Sequence, residues 1–217
     1  MKKFNEKSAI EDYLVEKLKE KGWKFVPADE LERESFEEPI LLSLPRLLEK
    51  INKSKGIGNE EIKQVLNELK LKSTGIEGNK QILDGFKFGI PVVIIECKNP
   101  VSFSTGWFDA YKQIKEYEKT IPELFKYIQL GVAVETVAKY FPVVPWEKEN
   151  VEIQEWKSEE KDSVDSIIEM LSPETLIDII RNFLLFRVKF NTATKVLPRY
   201  MQYRAANKIV ERVLNNL

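Results

Sequence analysis

The sequence predicts an α/β fold: a central mixed β-sheet flanked by helices, followed by a C-terminal helical extension. Three observations predict it. Val92-Val93-Ile94-Ile95 is a run of four β-branched residues between Pro91 and Pro100, apolar on both faces and therefore suited to a buried strand. Leu130-Gly131-Val132-Ala133-Val134 reads as a second buried strand. Around these runs, apolar residues recur at helical spacing, as in Ile10, Tyr13, Leu14 and Leu18, and helices laid against such strands build an α/β layer structure.

The first helix runs from about Ser8 to Lys21, with Asn5 or Ser8 as its cap and Gly22 as its stop. Trp23-Lys24-Phe25-Val26 is a short strand candidate ending at Pro27. Residues 28–71 read as helical and exposed, with one segment over 40–52 and another over 59–69, parted by Gly56 and Gly58. Beyond Gly75 and Gly78, Ile82 to Phe88 reads as a strand. Gly89-Ile90-Pro91 turns the chain, and Val92 to Lys98 returns beside it as a hairpin. A helix over 107–119 stops before Pro122. From Lys139 to Lys161, Pro142, Pro145 and many charges point to an irregular edge or linker. Helices follow over 164–170, 173–186 and 200–217. The expected division is residues 1–155 as one domain and residues 156–217 as a helical connector.

Composition narrows the chemistry. The chain has no histidine and one cysteine, which excludes serine–histidine or cysteine–histidine catalysis, histidine-ligated metals and an internal disulfide framework. A metal here has to be a hard cation held by oxygen ligands. Lys and Arg number 34 against 35 Asp and Glu, so no global positive field announces nucleic acid, although a local cationic cleft is compatible with that balance. No secretory leader and no membrane-spanning run is visible, and the expected location is the cytoplasm.

The residues that carry chemistry surround the Val92 to Pro100 strand. Alternation puts Val92, Ile94, Glu96 and Lys98 on one face and Val93, Ile95 and Cys97 on the other. A carboxylate and an ammonium thus leave the end of a buried strand on one side. Most Glu-x-Lys pairs are structural ion pairs. In the expected hairpin, however, Asp84 lies near Glu96 and Lys98, and two carboxylates with a lysine alongside make an intelligible magnesium site for phosphodiester hydrolysis. Against this, Asp84 precedes Gly85, a pairing common in turns. Gln113 and Tyr117 stand four apart on the next helix and share a face, where they can hydrogen-bond a phosphate or the lysine. Glu11, on the flank of the first helix, can complete the acid set; a solvated helix face is its ordinary role.

Longer stretches carry a resemblance. They are Gly75-Ile76-Glu77-Gly78-Asn79-Lys80, Gly89 to Pro100, Gln113 to Lys119 with Ile121 to Tyr127, Arg181-Asn182-Phe183, and Pro198 to Lys208. With these the chain resembles the N-terminal nuclease region of the motor (R) subunit of type I restriction endonucleases, a PD-(D/E)xK fold of the RecB-like branch. The resemblance covers nearly the whole chain. It implies that Glu96 and Lys98 carry nuclease chemistry, that Glu11 is the first-helix acid, and that Gln113 and Tyr117 form the Gln-x-x-x-Tyr motif. It also implies magnesium at Asp84, Glu96 and Glu11, double-stranded DNA as substrate, and modification and specificity subunits as partners.

Two departures qualify the match. The family carries several dozen more residues between the Gly-Ile-Glu-Gly-Asn-Lys segment and the Gly-Ile-Pro turn. Here Leu83 replaces the family's proline, and Asp84 lies two residues closer to Glu96. Either Asp84 is the catalytic acid of a trimmed site, or that acid belonged to a missing segment. A second reading, which the short interval and the neutral net charge favour, is a nuclease-fold domain that has lost catalysis and serves as a docking module for partner subunits. Pro198 to Lys208 resembles the helicase Q motif, in which Gln202 would read adenine in a full-length motor. No phosphate loop follows, so ATP hydrolysis by this polypeptide alone is not expected.

Overall fold

A computed structural model describes residues 7–27, 30, 58–72, 75–84, 92–99, 106–146, 151–158, 161–189 and 192–216. Among these, the core of the fold is a three-stranded mixed sheet in the order β1-β2-β3, formed by β1 (Val93–Cys97), β2 (Leu130–Val134) and β3 (Ala138–Pro142). β1 and β2 are parallel and β2 and β3 antiparallel. A parallel pair needs a crossover, and here a helix over Trp107–Thr120 lies in it.

The sheet is covered on both faces, and strand alternation decides what each face meets. Val93, Ile95, Cys97, Leu130, Val132, Val134, Ala138 and Tyr140 join a core with helices from both ends of the chain. Those helices are α1 (Lys7–Glu20), which contributes Leu14, and the later pair Ser163–Met170 and Pro173–Asp178. Ile94, Ala133 and Phe141 face the other way, against Ala110, Tyr111 and Ile114 of the crossover helix. The result is three layers: helices, sheet, helices.

α1 ends as the sequence dictates: Gly22 adopts φ 98°, and Trp23 N donates to Leu18 O at 3.1 Å, a left-handed glycine stop. The Tyr13 hydroxyl donates to Asp165 Oδ1 at 2.5 Å, tying α1 to the later helix. Next come α2 (Asn59–Leu71) and α3 (Ile76–Asp84). The crossover helix is α4 (Trp107–Thr120), followed by the single turn α5 (Pro122–Phe125). After the sheet come α6 (Ser163–Met170) and α7 (Pro173–Asp178), with a π-turn at Ile179–Phe183. A hairpin of β4 (Leu185–Lys189) and β5 (Thr192–Val196) and then α8 (Tyr200–Leu214) complete the chain.

Several expectations are corrected. Trp23 to Val26 has no regular structure and is exposed; the indole of Trp23 instead donates to Leu171 O at 2.7 Å. The hairpin over 82–98 gives way to a helix on its first arm: Ile82, Leu83 and Asp84 close α3, in which buried Gly78, Asn79 and Ile82 recur at helical spacing. Residues 85–91 and the helix expected over 40–52 lie outside the described residues. The partner of β1 is therefore β2, and the fully buried strand is β2 rather than β1, whose residues are half-buried. The stretch from Lys139 begins inside β3, with Pro142 as its last residue. Beyond it Val143, Val144, Val151 and Trp156 are buried, and Gln154 bridges to Tyr140. The helix expected over 173–186 stops at 178, passes through the π-turn, and becomes β4 from Leu185.

Candidate active site

The site sits at the C-terminal end of β1. Glu96 and Lys98 project toward α4, as alternation requires, since Ile94 on the same face packs against that helix. Lys98 is anchored by its backbone, whose N–H donates to Val134 O at 2.8 Å. Its ammonium donates to Glu96 Oε1 at 3.2 Å and to Gln113 Oε1. The Gln113 amide nitrogen donates in turn to the Tyr117 hydroxyl. Four of the residues singled out in the sequence thus form one chain of contacts across the strand and the helix. Lys98 and Glu96 keep only 16% and 14% of their side-chain surface exposed, so their charges meet in a medium that screens poorly.

A cleft of about 290 Å³ opens beside Glu96 and is lined by Glu11, Leu14, Val15, Leu18, Ile95 and Cys97. Glu11 is exposed on α1 and shares that cleft. Its neighbours Leu14 and Leu18 pack on the sheet, which places its part of the helix beside β1. Asp84 is the last residue of α3, and its side chain is not among the described ones. Gln202 belongs to another element. It is the third residue of α8, and its Oε1 accepts from Arg199 N at 2.9 Å, so in this chain it caps a helix.

The donor set fits a hard divalent cation. Glu96 and Glu11 both line this cleft, and magnesium takes one or two carboxylates and keeps waters for the rest. Among the described residues no cluster of three or more acids stands ready for a metal.

Sequence reasoning missed three residues that matter here. Asp109, in the first turn of α4, accepts from Gly106 N at 3.0 Å. That bond holds its carboxyl below the usual range, with Lys112 and then Lys98 adding to the effect. An acid three residues after a glycine at a helix start was the available signal. Asn79 is buried and donates to Lys126 O at 2.8 Å, which joins the Gly-Ile-Glu-Gly-Asn-Lys segment to the Ile121 to Tyr127 segment. Lys195 is wholly buried; it donates to Gln129 Oε1 at 3.0 Å and Val143 O at 2.8 Å, and burial lowers its pKa to about 7. No pattern in Thr-Lys-Val distinguishes it from a solvated lysine.

The family described as the type I restriction enzyme R protein N terminus matches residues 3–150. Among curated proteins, the "Putative type I restriction enzyme MjaVIIIP endonuclease subunit" of Methanocaldococcus jannaschii is 35% identical over 158 residues, which cover 70% of this chain and 15% of that protein. The "Type I restriction enzyme HindI endonuclease subunit" of Haemophilus influenzae is 30% identical over 161 residues, covering 69% of this chain and 15% of its own length. The chain thus spans a small part of these relatives. No solved structure matches it. The match over two thirds of the chain, on a mixed sheet with Glu96 and Lys98 at a strand end, shows that the chain belongs to the family of the type I restriction enzyme R protein N terminus.

Proposed function

We propose that the chain is the DNA-cutting part of a type I restriction enzyme endonuclease subunit, hydrolysing phosphodiester bonds in unmodified double-stranded DNA with magnesium. The observation that carries this reading is the Lys98 ammonium, held between Glu96 Oε1 and Gln113 Oε1 at the C-terminal end of β1. Magnesium, held by Glu96, Glu11 and Asp84, would supply Lewis acidity toward a phosphoryl oxygen and a more acidic bound water. The protein's own part is positional. Gln113, backed by Tyr117, fixes the Lys98 ammonium so that it offsets the negative charge developing on the phosphate oxygens. Glu96, next to Lys98, accepts a proton or orients water at the same point.

The relatives are named as endonuclease subunits of type I restriction enzymes, and modification and specificity subunits are the proposed partners. ATP would be bound only by the longer subunit, where Gln202 exchanges its capping role for adenine. Among the described residues no helix is long and apolar enough to cross a membrane. The test is plasmid cleavage by this chain with and without magnesium, alongside Glu96→Ala. Magnesium-dependent nicking that Glu96→Ala abolishes supports the reading; no cutting by wild type under either condition overturns it and leaves a docking module.

A further inference from the structure

Across the sheet from Glu96 lies a second lysine–glutamate pair. The register runs Glu96 to Ala133 to Lys139, and residues directly opposite in a sheet share a face. Lys139 therefore projects from the α4 face, two strands from Glu96, roughly 10 Å away at the usual strand spacing. Within the sheet, Ala133 is the residue that lies between them on that face. The Lys139 ammonium donates to Glu155 Oε2 at 2.8 Å and lies 5.7 Å from the centre of the Trp107 ring.

Trp107 is the first residue of α4, so the ring contact places this ammonium at the helix N-terminus, where the backbone dipole also favours an anion. Lys139 and Glu155 keep 22% and 25% of their side-chain surface exposed, so the pair reaches solvent. We propose that Lys139 is a second phosphate-binding cation of the site, taking a backbone phosphate of the DNA strand one or two nucleotides from the scissile bond. This rests on the nuclease reading above and deepens it. Lys98 meets the reacting phosphate, and Lys139 sets the register of the strand that carries it. Glu155 holds the lysine in place in the free protein and is displaced by phosphate. In this role Lys139 is a positioning residue.

A mere clasp between β3 and the 151–158 segment makes different predictions, and binding to DNA separates the two. The probe is a fluorescently labelled duplex, its affinity for the 217-residue chain measured across a series of salt concentrations. Lys139→Ala should weaken binding several-fold at low salt and reduce the slope of log affinity against log salt by about 1, the signature of one lost phosphate contact. Lys139→Arg should restore both. Glu155→Gln, which removes the competing carboxylate, should tighten binding. Lys139→Ala that lowers the melting temperature yet leaves affinity and slope unchanged would overturn the proposal, as would Glu155→Gln that weakens binding. In those cases the nuclease reading stands as long as wild type still binds and Glu96-dependent cleavage persists. Failure of the wild-type chain to bind duplex at all would sink both.

Discussion

At the scale of single residues, Asp84 and Lys195 ask different questions. Asp84 lies on α3, on the chain leading toward β1, and Asp84→Ala divides the two histories of the short interval before Glu96. Complete loss of plasmid cleavage makes Asp84 a metal ligand, and unchanged cleavage assigns the metal to Glu96 and Glu11. Lys195 reports on stability. Its pKa falls from 10.5 to about 7, chiefly through burial, with Glu118 pulling the other way. The unfolded chain therefore holds this proton between pH 7 and about 10.5 while the folded chain has released it. The contribution of Lys195 to stability thus rises with pH across that window and is lost as pH falls back toward 7. Urea midpoints at pH 7 and pH 9.5 check this: wild type should gain stability over the interval relative to Lys195→Met, and equal changes in the two proteins would refute it.

Among the elements, β2 sets the tolerance of the sheet. A Cβ at Gly131 would stand 2.5 Å from Phe141 Cζ across the strand pair. The ring is buried between α4 and the sheet and has little room to move. Gly131→Ala should therefore cost about 1–3 kcal/mol, read as a lower urea midpoint with unchanged slope; a neutral result would mean that the ring relocates freely. What the sequence made legible follows from the same packing. β1, β2 and α4 were readable because β-branched runs and 3.6-residue spacing report burial directly. α3 was misread because Ile82, Asp84, Phe86 and Phe88 fall on alternate positions, a pattern that resembles a strand, while the helix is set by Gly78, Asn79 and Ile82 packing to one side. β3 was hidden by Pro142 and its flanking charges. Pro142 is tolerated as the last residue of a strand at the edge of the described sheet.

Over the whole molecule, one core reaches from Leu14 to Leu197 and includes Trp156, Ile167, Met170, Leu171, Leu176 and Ile179. The segment beyond residue 155 covers the sheet face opposite α4. A chain ending at 155 should therefore unfold at a markedly lower temperature than the 217-residue chain and expose the apolar face of β2, measurable by calorimetry and dye binding. Equal melting temperatures would make 1–155 a self-sufficient unit. Of the candidate site, Glu96, Lys98, Gln113 and Tyr117 could be found from strand alternation and an i, i+4 pair. The place of Lys139 across the sheet from Glu96 could not, because it depends on a strand register that no local pattern reveals.

The central claim is that Lys98, fixed by Glu96 and Gln113, supplies positive charge to the reaction rather than to the fold. Its removal leaves Glu96, only 14% exposed, without its ammonium partner, so some stability is lost with the charge while the fold persists. The most direct measurement is the rate of magnesium-dependent plasmid cleavage by Lys98→Ala beside wild type, with folding of both checked by circular dichroism. Loss of one preorganised charge-stabilising donor predicts a fall of about a hundredfold or more, with a circular dichroism spectrum unchanged at the assay temperature. A folded Lys98→Ala protein that cuts DNA at the wild-type rate would contradict the account.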